Sequence, residues 1–530
     1  MESMWKFLVA LSVVGVWGSN AGAAGPAAPA CLSDRSPDRL RVCAGVLEGK
    51  SQFPSAVQVM QKSVQLNPSA SNWRYLGELA VKAENYDVAC TGFKEAIRRY
   101  QKLDVQAALF LSQTRGGYCQ DVELYTLEGK ANPTPKLAKF EPKSGILLGL
   151  SSFPKDLRAN GGKLPALEVF GGPLAVYLTY YPLIEPSTAS SNLGIFPREV
   201  AAAAKAAGAA VHIALEPKMP LSQITEATLI PFAEAARNAE LPIFLRFASE
   251  FNDSQNEWSK NPALYVQKFR LLHTVMARIA PNVAMVWMPY ANGSNCFEKF
   301  YPGERYVDWV GVSLYSVPFL NGNPALSGEM FSPLERIEGL YRCYADRHPF
   351  QVSEYASSSR NVGLGDRDYC DFASRKMRDL YWGAALKLPR LKNINWLDLD
   401  MGGGAANGKA ESRQNDYRLL AVPCKLETFK TFLQEPYFLR RFPSTFDRGP
   451  APLPPLVTAG LRGAAYLKVA KPVESVDYLW NGKKLSSAKV VPYAFSLPKT
   501  LKPGTYTLEL RVFGAGGKVL LSKVQKVGVR

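Results

Sequence analysis

Histidine is almost missing from this chain: His212, His273 and His348 are the only three in 530 residues, and they are scattered. No Cys-x-x-Cys or His-Glu-x-x-His spacing occurs either, so a metal centre is not expected, and no other cofactor is implied. No Gly-x-Gly-x-x-Gly turn follows the first predicted strand, which disfavours a dinucleotide-binding open sheet. Low-complexity tracts are lacking in a composition that is 47% apolar and 11% aromatic, as in folded globular domains. A basic run interleaved with aromatics is absent too. The net charge of +17 is spread along the chain, so a nucleic-acid partner is not expected. That excess fits plain solubility or an anionic polysaccharide.

Long apolar runs are also missing. The best candidate, residues 7–17, is about a dozen residues where a bilayer span needs about 20. Lys6 precedes it and Ala21-Gly22-Ala23 follows, the layout of an export signal over 1–23. The expected location is therefore secreted or periplasmic, with no stable membrane insertion after cleavage. Eight cysteines remain, Cys31, Cys43, Cys90, Cys119, Cys296, Cys343, Cys370 and Cys424. An even count in an exported chain points to disulfides. Proximity suggests Cys31–Cys43 and Cys90–Cys119, with the other four paired in the central region.

The length calls for two or three domains. Residues 31–124 are expected to be helical. Trp73, Leu76-Gly77, Ala80, Tyr86, Ala89, Phe93 and Ala96 fall at tetratricopeptide-repeat spacing, which implies a protein-binding module or a helical cap. Pro and Lys crowd residues 125–144, which reads as a linker. From 145 to 445 short apolar runs alternate with helical stretches. Eight candidate strands, at 146–150, 175–181, 210–215, 242–247, 283–288, 309–314, 350–353 and 394–399, predict a closed (β/α)8 TIM barrel. The proline-rich stretch 449–455 marks a further boundary. Residues 456–530 then alternate about Asn481-Gly482, the signature of a hairpin in a small β-sandwich. This last run resembles bacterial immunoglobulin-like modules.

Barrel chemistry gathers where the strands end. There the sequence places Glu216-Pro217, Ser249-Glu250-Phe251-Asn252, Trp287 with Tyr290-Ala291-Asn292, Tyr315, Glu354-Tyr355, and Trp396 with Asp398. Two carboxylates among aromatics, with few histidines, are what glycoside cleavage requires: one acid protonates the leaving oxygen, and one carboxylate attacks or activates water. Aromatic rings cover the apolar faces of sugars.

These residues resemble glycoside hydrolase family 26, the β-mannanase and lichenase family. The similarity runs through Arg246, Glu250 and Asn252, then Asn261-Pro262, Tyr265, Arg270, His273, Asn282-Val283 and Val286-Trp287. It continues through Tyr301-Pro302-Gly303, Tyr306 to Gly311, Tyr315 and Glu354-Tyr355, with Glu216-Pro217 upstream. It covers roughly residues 145–440. The resemblance implies a retaining hydrolase in which Glu250 is the acid/base and Glu354 the nucleophile, their carboxyls about 5–5.5 Å apart. It also implies that Arg246 and Tyr315 hold Glu354 ionised, and that Trp287 and Trp396 line the subsite of cleavage. Glu216, Asn252, Trp258 and Asn292 complete the expected substrate-binding set. Two positions depart from the family pattern: Phe251 stands where Met is usual, and Ser249 stands where the family has His before the acid/base, which weakens the case for mannan.

The expected function is thus a secreted retaining endo-β-glycosidase acting on a mannan-like polymer or a bacterial exopolysaccharide, with a protein partner at the helical region. The alternative is a catalytically silent polysaccharide-binding scaffold of an exopolysaccharide secretion assembly.

Overall fold

A computed structural model describes residues 28–529, apart from 105–106, 109–110, 113–114, 131–135, 185–194, 292–295, 325, 330, 362–366 and 402–414; the expected export signal lies outside the described residues. The chain divides into two compact units, Met1–Arg99 and Tyr100–Arg530.

The first unit is helical: α1 (Pro37–Gly49), α2 (Phe53–Leu66) and α3 (Ala70–Lys82) are followed by α4, which starts at Tyr86. Ser36 and Ser69 each accept a backbone N–H from the first turn of the helix they precede, α1 and α3. Glycine lets α3 and α4 touch backbone to backbone, since a Cβ on Gly92 would lie 2.8 Å from the Gly77 nitrogen. The Cys31–Cys43 disulfide closes the start of this unit as expected.

In the second unit the first strand, β1 (Asp121–Lys130), is followed by β2 (Ile146–Ser151), β3 (Val176–Leu183), β4 (Ala210–Pro217), β5 (Ile243–Phe247), β6 (Val283–Trp287), β7 (Trp309–Ser316), β8 (Phe350–Ser357) and β9 (Leu391–Trp396). Strands β2 to β9 pair in parallel in sequence order, and β9 returns to β2, closing the TIM barrel. Short β10 (Phe438–Leu439) adds to β2. All eight barrel strands lie where the apolar runs placed them, the last beginning three residues early.

Strand alternation sorts the wall. Val176, Ala210, Phe244, Ala284, Val286 and Trp309 share one parity and form the apolar floor of the lumen. The other parity, with Val211, Ile213, Leu245, Met285 and Trp287, packs in the main core with the surrounding helices. Further polar residues fill the lumen. His212 is fully buried between Asn395 at 3.2 Å and Gln351 at 3.4 Å, and burial pushes its pKa down, so it stays neutral. Gly149 is needed beside this layer, because a Cβ there would sit 1.9 Å from Asn395 Oδ1.

Of the expected linker over 125–144, residues 131–135 lie outside the described residues, and the stretches on either side belong to folded structure. Residues up to Lys130 belong to β1, which pairs antiparallel with β13 (Arg462–Lys468) and with β11 (Arg448–Pro452). Val122 and Leu124 alternate inward, which is the strand signal that the proline-rich segment downstream obscured. Residues 136–144 pack on the barrel: Phe140 meets the Phe244 and Phe442 rings edge-on, and buried Glu141 pairs with Arg390 at 2.9 Å. Of the four prolines read as a boundary at 449–455, Pro450 and Pro452 sit in β11, at the sheet edge where a missing N–H is tolerated. A four-stranded sheet, β11-β1-β13-β16 with β16 at Phe495–Ser496, thus faces a five-stranded one. The second runs β12-β18-β17-β14-β15, with β12 Leu456–Val457, β14 Ser475–Trp480, β15 Lys483–Ala488, β17 Gly504–Phe513 and β18 Val519–Val529. One shared core joins the two sheets into a sandwich. Asn481 and Gly482, both at positive φ, turn the β14–β15 hairpin as expected.

Candidate active site

Glu354 lies within β8, only 6% exposed. Arg246 of β5, with no exposed surface, donates through Nη2 to Glu354 Oε1, and Tyr315 of β7 donates to Oε2. Tyr180 of β3 bonds the same carboxylate, and its ring lies 5.1 Å from the Arg246 guanidinium carbon. Burial drives the Glu354 pKa upward, but the Arg246 charge and the hydrogen bonds from Tyr180, Tyr315 and Arg246 outweigh it and hold the carboxyl below its usual value. Tyr315 is itself stacked on Tyr417 at 5.3 Å, which fixes its hydroxyl.

Glu250 lies just beyond β5 in the left-handed region, at φ 53°. Such a conformation costs a non-glycine residue about 1–3 kcal/mol, and the neighbours hold it. Its amide donates to Met288 O at 2.9 Å, and Asn256 Nδ2 donates to its carbonyl at 3.0 Å. Ser313 Oγ of β7 donates to Glu250 Oε1. Burial, then the charge of Glu354, push the Glu250 pKa up to about 7. The two glutamates are therefore electrostatically coupled and driven apart, one toward the ionised form and one toward the acid.

Glu216 ends β4 and binds Ser249, accepting from its hydroxyl at 2.5 Å and its amide at 3.3 Å. The Ser249 carbonyl in turn accepts the Trp258 indole N–H at 2.8 Å. Burial raises the Glu216 pKa.

Several expected sugar contacts are elsewhere. Trp287 has no exposed surface; its indole donates to Phe300 O at 3.0 Å and its ring stacks on Phe251 at 5.0 Å, outside the barrel wall. Trp396 is equally buried, donating to Tyr417 O at 2.8 Å. Both occupy the outward strand parity, so neither lines a cleavage subsite. Half-buried Trp258 packs against the same outer core. Asn252 exchanges hydrogen bonds of 2.9 and 2.8 Å with the Tyr290 backbone, tying the loops after β5 and β6 together rather than reaching toward a ligand. Asn292 lies outside the described residues. Tyr180 and Ser313 were missed, although parity pointed to both: Ser313 is two residues before Tyr315, and Tyr180 two after Leu178.

The Cys296–Cys343 and Cys370–Cys424 disulfides brace the barrel, and no cysteine is free among the described residues. Among the same residues no group of three or more His, Cys, Asp or Glu could hold a metal ion, and no helix is long and apolar enough to cross a membrane.

Residues 221–339, which span Glu250, Arg246 and Tyr315, match the model of Glycosyl hydrolase family 26. The barrel is a glycoside hydrolase domain. Among curated proteins none matches the chain in sequence. Of solved structures, this hydrolase is similar to a family 26 β-mannanase from Bacteroides ovatus at 14% identity, covering 57% of this chain and 92% of that one, TM-score 0.40. It is similar to a β-glucuronidase from Bacteroides uniformis at 11% identity over 74% and 48% of the respective chains, TM-score 0.39. It is also similar to a β-(1,4)-mannanase with an attached CBM35 from Podospora anserina at 12% identity over 59% and 68%, TM-score 0.37.

Proposed function

We propose that the hydrolase is a retaining endo-β-glycosidase that cuts a polysaccharide by double displacement. The observation that carries this reading is the asymmetry of the two glutamates: Glu354 is held as a carboxylate by one cation and two phenols, and Glu250 is held as an acid near neutral pH. In the first step a Glu354 oxygen attacks the anomeric carbon, the bond to the leaving sugar breaks, and the Glu250 proton passes to the departing oxygen. Ser313 occupies Glu250 Oε1, so the proton belongs on Oε2. In the second step Glu250 takes a proton from water, whose oxygen displaces Glu354 from the sugar. No cofactor takes part in this scheme.

The substrate is a mannan-like polymer or a bacterial exopolysaccharide, met in the secreted or periplasmic space. Ser249 supports a polymer other than plain mannan, because its hydroxyl is already engaged by Glu216. The tetratricopeptide-like helices of the amino-terminal region would hold a protein partner of a secretion assembly, and the immunoglobulin-like sandwich would act as a spacer.

The test is overnight incubation of the protein, beside its Glu354→Ala variant, with mannan, mixed-linkage glucan, xylan, alginate and the producing cell's exopolysaccharide. Mass spectrometry reads the released oligosaccharides. Release by the parent alone supports the hydrolase and identifies its substrate class. Binding without release by either protein transfers support to the silent scaffold.

A further inference from the structure

Lys and Arg occur along the whole chain, but Asp and Glu do not follow them into its last part. Residues 456–530 hold thirteen Lys and Arg against three Asp and Glu. About a seventh of the chain therefore carries ten of its seventeen excess positive charges. Two of the three acids are already occupied, Asp477 by Lys484 at 2.8 Å and Glu509 by Arg511. A surface of one sign gathers ligands of the other.

Strand register shows where the uncompensated charge collects. β14 ends at Trp480, β15 begins at Lys483, β17 begins at Gly504 and β18 ends at Val529, so the four meet at one end of the five-stranded sheet. Lys483 lies opposite Trp480, and Lys526 opposite Thr507. Lys499 and Lys502 lie in the loop that leads into β17. All four lysines are exposed, and among the described residues none of them pairs with a carboxylate. Lys483 and Lys526 are three strands apart in the order β15-β14-β17-β18, which is about 14 Å. The cations thus form a strip rather than a pocket.

This end is also braced and aromatic. Trp480 and Tyr506, both partly exposed, stack at 4.8 Å. The Tyr506 hydroxyl donates to Lys502 O at 2.9 Å, which holds the lysine loop beside the rings. Asn481 Oδ1 accepts the Thr507 amide at 2.8 Å, which ties the hairpin to β17. Aromatic surface covers the apolar face of a sugar, and ammonium groups meet its carboxylates. We infer that this end of the sandwich binds an anionic polysaccharide and so holds the hydrolase on a charged polymer, a role beyond that of spacer. The choice of a polysaccharide over another polyanion rests on the glycosidase reading, but the binding can be measured without turnover.

The experiment is calorimetric titration of the full-length protein with polymannuronate, neutral mannan and duplex DNA. Two fourfold variants are compared. One changes Lys483, Lys499, Lys502 and Lys526 to Gln; the other changes Lys50, Lys94, Lys102 and Lys163 to Gln, which removes the same charge from exposed positions elsewhere. The parent should bind polymannuronate, more weakly as salt is raised, and mannan much less. The sandwich variant should lose about tenfold or more of that affinity, since each exposed charge contributes a modest share. The second variant should stay near the parent. Equal weakening in both variants overturns the site, as does mannan bound as tightly as polymannuronate, DNA bound more tightly, or no polymannuronate binding by the parent. Glu354→Ala should bind polymannuronate like the parent while releasing no oligosaccharide. Full release by Glu354→Ala would overturn the glycosidase reading and leave the binding result standing.

Discussion

At the scale of single residues, two identical side chains, Glu250 and Glu354, acquire different protonation from their surroundings. Replacing Glu354 with Gln should lower kcat by about 10⁴-fold or more, as expected when a nucleophile is removed. Glu250→Gln should cost about 10²–10⁴-fold on natural glycans, and much less on an aryl glycoside whose leaving group needs no proton. The pH profile follows from the same pair. The acid form of Glu250 is lost as pH rises through about 7, so kcat/KM should fall on that limb. The Glu354 carboxylate is lost only below its ordinary range, which sets the acid limb. Tyr315→Phe removes one donor to a charged acceptor, worth about 10–100-fold in rate. It should also move the acid limb to higher pH, and rate profiles of parent and variant would show both effects.

The residues that sequence left obscure were obscure for a physical reason. Glu250 and Glu354 are legible because a charged residue at a strand end stands out against an apolar run, whereas Arg246, inside its strand, is reached only through the family resemblance. Tyr180 and Ser313 do not stand out, since an ordinary Tyr or Ser in a strand becomes functional only through the direction it points. Trp287 and Trp396 misled in the opposite sense, because aromatic chemistry suits sugars whatever the parity of the strand.

At the scale of elements, parity makes a prediction of its own. Trp287 lies between β6 and its covering layer, against Phe251 and Tyr301. Truncating it to Ala should destabilise the protein by about 3–5 kcal/mol, as for other large core aromatics. KM of the folded fraction should stay the same. Thermal melts beside initial-rate kinetics would separate this outcome from a sugar-binding role, which would raise KM without lowering Tm. Barrel strands were legible because each is a short apolar run between turn signals. The alternation within β1 was hidden by the prolines and lysines that follow it, although Val122 and Leu124 carry the ordinary two-residue period.

At the scale of the whole molecule, the sandwich is not an appendage. Lys387, on the helix Cys370–Lys387, pairs with Glu123 of β1 and lies 4.9 Å from the Tyr466 ring of β13. Lys468 pairs with Glu335 on the far side of the barrel sequence. A chain ended at residue 445 would leave both edges of β1 unpaired and its apolar face uncovered. Open edges of this kind recruit other chains, so such a chain should aggregate, and light scattering during refolding beside the full-length protein would detect it.

The Thr126 hydroxyl bonds the carbonyl of Arg462, 336 residues further along the chain. As the chain emerges from the ribosome, β1 has nothing to pair with until the entire barrel has been synthesised. Closing so long a loop is entropically unfavourable unless the intervening chain has already folded and brought its ends together. The sandwich therefore cannot assemble before the barrel has been made. A chain broken off anywhere inside the barrel displays a bare strand, open to chaperones and proteases, and only a finished hydrolase conceals it.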